Sequence, residues 1–223
     1  MTIKLFIQAI TKFLSGVALV SLLIFLPAGT FSFINGWLFM GILFIPMFLA
    51  GIVMMFKNPD LLKSRLDTKE SEREQSIVVK LSGLMFLGGF IVAGLDFRFG
   101  WCPLPRGVVI CAVIVFLFSY LLYAEVLREN TYLSRTIQVQ ENQKVINTGL
   151  YSVVRHPMYL ATLLIFLPMP LILGSLLGLI PFAIYPPLIA IRILNEEKVL
   201  TKDLSGYAEY KKKVKYRLIP FVW

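Results

Sequence analysis

Three groups of residues in this 223-residue chain set polar side chains at spacings that could do chemistry. The first runs Gly149-Leu150-Tyr151-Ser152-Val153-Val154-Arg155-His156-Pro157-Met158-Tyr159. Pro157 suits the first turn of a helix, where its missing N–H leaves nothing unsatisfied. The residues before it are pushed out of the helical region. A helix N-terminus is therefore expected at Pro157, and its free N–H groups favour an anion. Arg155 offers a fork for carboxylate or phosphate, and His156 is the chain's single histidine. The alternative for both is interfacial anchoring by snorkelling side chains. The second group is Arg192, Glu196 and Glu197. Arg192 and Glu196 are four apart and share a helix face, with Glu197 on an adjacent one. They are either a site or an ion pair that ends a helix. The third group is the tail, Leu204-Ser205-Gly206-Tyr207-Ala208-Glu209-Tyr210, followed by a lysine run and Arg217-Leu218-Ile219-Pro220. The run would hold a short helix against anionic lipid at about 1 kcal/mol per basic residue, which leaves the Arg217 to Pro220 ending unexplained.

Composition says what must position these groups. Hydrophobic residues are 57% and charged residues 16%, against roughly 45–50% and about 25% in soluble domains. That excludes a disordered chain, a coiled coil and a disulfide-stapled secreted domain. Cys102 and Cys111 form no metal-type cluster and read as small apolar residues. Four blocks approach the roughly 20 apolar residues that a bilayer-crossing helix needs: Phe13 to Ile34, Gly36 to Phe56, Leu81 to Leu95 (extending back to Ile77) and Gly107 to Ala124. A fifth, Met158 to Ile191, has 34 uncharged residues, or about 50 Å of helix. It is too long for one pass, and Gly174-Ser175 near its middle predicts a helical hairpin over 157–194. The first apolar stretch is too long for a signal peptide and lacks a small-residue cleavage site, so it reads as a retained span.

With the N-terminus in the cytoplasm, 20 of the 22 Lys and Arg residues fall inside, and only Arg98 and Arg106 outside. This positive-inside bias accounts for the net charge of +9 without nucleic acid. The expectation is an all-α, polytopic integral membrane helix bundle of four spans plus the hairpin, both termini cytoplasmic. Residues 1–127 would form the four spans, with a charged connector over 57–76 read as a solvated surface helix. Residues 128–223 would hold the site: linker, hairpin and amphipathic tail.

Arg155-His156-Pro157-Met158-Tyr159 resembles the RHPxY signature of the isoprenylcysteine carboxyl methyltransferase family, which is related to the phospholipid N-methyltransferases. A segment like Lys144-Val145-Ile146-Asn147-Thr148-Gly149-Leu150-Tyr151 leads into that signature in the family, which usually has proline where this chain has Leu150. The Arg192-Glu196-Glu197 pattern, the Gly206-Tyr207-Tyr210 spacing and the Arg217 to Pro220 ending also match. Leu95 to Trp101 and Glu129 to Ser134 resemble the bacterial branch. Each motif is weak alone; four in order at compatible spacing are specific.

The resemblance implies S-adenosylmethionine as cofactor, held in a cytoplasm-facing pocket by Val145, Gly149, Leu150, Tyr151, Arg155, His156, Pro157, Tyr159 and Glu196, with no metal. It implies Arg192 and Glu197 as catalytic residues: Arg192 orienting an acceptor carboxylate, and Glu197, with Glu196, holding Arg192 or the cofactor's amine. The cofactor's carboxylate would suit Arg155 and His156, and tyrosine faces would stabilise its sulfonium. No strand followed by a glycine-rich turn, the mark of a dinucleotide fold, is present. The expected activity is O-methylation of a carboxylate on a lipid-like substrate that enters from the membrane. Three alternatives stand beside it. One is a phospholipid or amine N-methyltransferase, which would need a Glu as base. Another is an NADPH-dependent membrane reductase of sterol type. The last is a transporter, for which midplane charges and inverted repeats are missing.

Overall fold

The computed structural model describes residues 3–66, 73–133 and 139–223. Its chain order is α1 (Ile3–Ala28), α2 (Ile34–Lys57), α3 (Pro59–Leu66), α4 (Arg73–Phe99) and α5 (Arg106–Glu129). A 3-10 turn (Gly149–Ser152), α6 (Pro157–Phe166), α7 (Pro168–Ile172), α8 (Leu179–Phe182), α9 (Tyr185–Asp203) and α10 (Tyr207–Lys213) follow. Among the described residues every named element is helical, and the one extended contact is an isolated bridge between Pro103 and Ser175.

Among the described residues, five stretches are long and apolar enough to cross a membrane: α1, α2, α4 from Ile77, α5, and Leu179–Asp203. Large apolar side chains on them, such as Leu14, Leu22, Ile45, Ile114, Phe118 and Leu121, face outward and exposed. That pattern fits lipid as the surrounding solvent. Lipid tails remove the hydrophobic drive between helices, so close packing must hold the bundle. Small residues supply it. Gly89 and Ala93 on α4 meet Gly178, and a Cβ at Gly89 would run into the Phe182 ring. Around this contact Phe39, Phe90, Phe116 and Phe182 are buried, with the Phe39 and Phe90 rings 5.6 Å apart.

The hairpin differs from expectation in its first arm. Pro168 breaks that arm into α6 and α7 at Leu167. Pro157 to Ile172 covers about 24 Å at 1.5 Å per residue, less than the roughly 30 Å hydrocarbon core. The turn falls at Gly174, whose φ of +80° suits glycine. The second arm runs on to Asp203 rather than stopping near residue 194. Arg192 and Glu196 therefore lie inside a helix and do not end one.

The connector also differs. α3 buries Leu61 and Leu62. Arg65 reaches the Tyr123 hydroxyl on α5 and stacks over its ring, 5.5 Å from the centroid. Lys12 donates to the Leu66 carbonyl. The described part of the connector, through Leu66, thus packs against the bundle where a solvated helix was expected, with Leu61 and Leu62 buried and Arg65 reaching Tyr123. Lys69, Glu70 and Glu72 of the connector, and Ser134 and Arg135 of the linker, lie outside the described residues.

The end of the bundle away from the lysine run is tied by one buried carboxylate. Asp96 accepts from the Cys102 backbone N–H at 2.7 Å and from the Ser175 hydroxyl at 2.5 Å. Ser175 Oγ in turn accepts from the Gly178 N–H at 2.9 Å. This network joins α4, the α4–α5 turn and the hairpin turn. Asp96→Ala removes the acceptor of the buried Ser175 hydroxyl, an expected loss of about 1–3 kcal/mol, and that of the half-buried Cys102 N–H. A thermal unfolding midpoint equal to that of the parent protein would show that the network does not hold the hairpin.

Candidate functional site

The polar end gathers segments far apart in sequence around one hollow. It encloses about 810 Å³ of space, its open mouth included. Val145 and Ile146 from the linker, Tyr151 from the 3-10 turn, and Arg155, His156, Met158 and Tyr159 at the start of α6 line one side. Arg192, Glu196 and Leu200 of α9, with Leu204, Tyr207 and Tyr210, line the other. Asn130, Tyr132, Leu133, Gln143 and Lys144 complete the rim.

Local sequence explains each placement. Pro157 opens α6 at its first position, as its ring demands, with His156 as the preceding cap. Gly149 has φ +50°, and a Cβ there would collide with the Glu129 carboxylate. Its bare backbone lets Glu129 accept from the Leu150 N–H, at 2.9 Å and 3.2 Å to its two oxygens. This contact fixes the 3-10 turn that presents Tyr151. The Tyr151 hydroxyl accepts from Asn130 Nδ2 at 3.1 Å, and its carbonyl accepts from the Tyr210 hydroxyl at 2.7 Å. Burial pushes the phenols of Tyr151, Tyr207 and Tyr210 up, desolvation being the main cause, so all three are uncharged at neutral pH.

Glu197 is 4% exposed and sits behind the hollow rather than in its wall. Oε1 accepts from Arg155 Nε at 2.6 Å and lies 3.3 Å from His156 Nε2. Oε2 lies 3.2 Å from Arg217 Nε and 3.8 Å from Lys211 Nζ. Arg155 Nη1 also donates to the Val214 and Lys215 carbonyls at 2.7 and 3.0 Å. The backbones of Arg155 and His156 donate to the Tyr216 and Arg217 carbonyls, each at 2.9 Å. The tail ending is thus stitched onto the turn before α6.

In front of this layer, the Tyr159 hydroxyl accepts from Arg192 Nε at 3.0 Å and donates to Glu196 Oε2 at 2.5 Å. The Tyr207 hydroxyl is buried and has no hydrogen-bond partner among the described residues. An unpaired phenol on a cavity wall is a group ready to meet a ligand.

Of the residues that the resemblance singled out, Val145, Tyr151, Arg155, His156, Tyr159, Arg192 and Glu196 share this one hollow. Gly149, Leu150, Pro157 and Glu197 do not line it; they brace what does. Asn130, Tyr132, Leu200, Leu204, Tyr207 and Tyr210 line it without having been counted among the site residues. The Gly206-Tyr207-Tyr210 spacing was the available signal for the last two.

Residues 107–206 match the model of a family described as phospholipid methyltransferase. The match starts one residue into α5 and ends before α10, so it takes in the 3-10 turn, the turn before α6 and all of α9. The match is consistent with the resemblance to the related isoprenylcysteine and phospholipid methyltransferases and does not reach a branch. No curated protein matched the chain. Together with the five span-length helices among the described residues, the match suggests an integral membrane methyltransferase.

The two adjacent glutamates should separate in experiment. Glu197→Gln leaves the buried Arg155 without its counter-charge, and breaking such a pair costs about 3–5 kcal/mol. Its unfolding midpoint should fall sharply. Glu196→Gln should leave the midpoint near that of the parent while impairing turnover. Equal thermal losses in both variants would refute this division.

Proposed function

We propose that the hollow binds S-adenosylmethionine and that the chain O-methylates a carboxylate on a lipid-like substrate, of isoprenylcysteine type, entering from the membrane. The observation that carries this reading is the convergence of Val145, Tyr151, Arg155, His156, Tyr159, Arg192 and Glu196 on one hollow. The positive-inside bias supports a site facing the cytoplasm.

The residues present suit the cofactor. Val145, Ile146, Leu200 and Leu204 offer apolar walls for a purine face. Glu196 offers a carboxylate to an ammonium. The Tyr207 hydroxyl offers a hydrogen bond where the described residues supply none. Tyrosine rings offer their faces to a sulfonium. When bound, the cofactor supplies an electrophilic methyl group.

Arg192 is the residue that would hold the acceptor. Its guanidinium orientation is set by the Tyr159 hydroxyl, which Glu196 holds from the far side. A carboxylate is already ionised at neutral pH, so this chemistry needs alignment and partial desolvation more than a base. Glu197 acts as a positioning residue: it fixes Arg155 and His156 and never needs to touch substrate. A second reading has support in the description of the matched family, a phospholipid methyltransferase. There the acceptor is an amine, and Glu196, through Tyr159, would take its proton.

S-adenosylhomocysteine at a hundredfold excess over its dissociation constant should stabilise the protein by about 2.7 kcal/mol, whereas NADPH should not. Arg192→Ala should abolish turnover while that stabilisation is retained. Unchanged turnover would remove Arg192 from the mechanism. A product whose methyl group is released by mild base is an ester; a stable methylamine would favour the second reading.

A further inference from the structure

A second hollow lies on the other side of α9, with about 1050 Å³ of space including its wide mouth. Its α9 wall is formed by Ile191, Leu194, Asn195, Lys198, Thr201 and Lys202. These positions recur at intervals of three and four, so they share one helix face. Polarity is graded along that face. Ile191 and Leu194 are exposed and apolar; Asn195 follows, then Lys198 and Lys202. From Ile191 to Lys202 the face rises about 16 Å, a distance that spans the passage from acyl chains to headgroups. Lys211 and Arg217 close the basic end from the tail. Four cations therefore face one carboxylate, that of Glu197, which Arg155 already shares.

Two lysines fold inward: Lys198 Nζ lies 3.4 Å from Asn195 Oδ1, and Lys211 Nζ lies 3.5 Å from Thr201 Oγ1. The other end of the Asn195 amide, Nδ2, is buried and has no acceptor among the described residues. Unsatisfied donors with surplus positive charge ask for an anion rich in acceptor oxygens. The apolar end says what carries that anion. A free phosphate would leave Ile191 and Leu194 uncovered, whereas a phospholipid covers both ends.

We propose that this groove binds one anionic phospholipid, its phosphate held among Lys198, Lys202, Lys211 and Arg217, with an acyl chain along Ile191 and Leu194. The site is separate from the methyl-transfer hollow, on the opposite face of α9, and does not depend on which acceptor that hollow takes.

Native mass spectrometry of the full chain in detergent tests this, with phosphatidylglycerol or phosphatidylcholine of matched chains added. The protein should retain one phosphatidylglycerol and hold it about tenfold or more tightly over phosphatidylcholine. Lys198→Glu with Lys202→Glu should weaken phosphatidylglycerol binding by about tenfold or more. Both lysines are exposed, so the fold should persist; should the double glutamate not fold, Lys198→Gln with Lys202→Gln gives the same test at smaller amplitude. Equal retention by parent and variant overturns the proposal. So does equal retention of the two lipids. Displacement of the bound lipid by inorganic phosphate would assign the groove to a free anion and overturn the lipid reading.

Discussion

A carboxylate shut away from water needs compensating donors, and in this protein the compensation joins four pieces of chain. Glu197 binds Arg155 and His156 with one oxygen and faces Arg217 and Lys211 with the other. The turn before α6, the last turns of α9, α10 and the tail ending are thereby held to one another. Such a cluster does little for net stability compared with apolar packing of the same volume, because two charges must be desolvated to form each pair. Its effect is geometric. Displacing the tail would strip Arg155 of the Val214 and Lys215 carbonyls and Glu197 of Arg217 and Lys211, so this arrangement is strongly preferred. Arg155 and His156 reach the hollow as a consequence of that constraint.

The bilayer sets the remaining architecture. With lipid outside, apolar side chains cannot drive the helices together, and the bundle relies on small residues, interleaved phenylalanines and a few buried polar ties. The ties stand at the two ends. Asp96 holds the hairpin turn at one, and Glu197 holds the tail at the other. The short first arm, α6 and α7, fits between them. It begins at the hollow and ends at the Asp96 network, and its break at Pro168 fits a segment too short to cross the core alone.

Much of this was readable without coordinates. Apolar block lengths predicted the spans, and Gly174-Ser175 predicted the turn, because hydrocarbon thickness and backbone conformation are local constraints. The RHPxY segment and the Arg192-Glu196-Glu197 pattern pointed to the hollow through the family resemblance, since spacing alone left interfacial anchoring and a helix-ending ion pair open. Other features were not readable, each for a physical reason. Arg65 looked like one of many surface cations; only packing of Leu61 and Leu62 brings it to Tyr123. Tyr207 looked like half of an aromatic pair, and nothing local foretells an unpaired hydroxyl. Glu197 read as catalytic, but its place behind Arg155 depends on where the tail returns. That return is a contact across some twenty residues and more (Arg217 to Glu197, Val214 to Arg155) with no local signature.

Adjacent glutamates on a helix point about 100° apart, and this angle divides the labour at the polar end. Glu196 faces the hollow and Tyr159; Glu197 faces the cations behind. With Arg155 neutralised from behind, the inner wall is left with Arg192 against Glu196, and Tyr159 bonded to both. Lys144 adds a positive charge at the rim. On the reading proposed above, a wall of this composition suits an acceptor that brings a negative charge. An amine acceptor would add a positive charge next to a guanidinium, and its proton would have to pass to a carboxylate already engaged by a tyrosine. A carboxylate acceptor, on the proposed reading, would meet Arg192 directly and lose its charge on methylation. That charge balance, more than any single residue in the wall, is the ground on which we propose O-methylation rather than N-methylation.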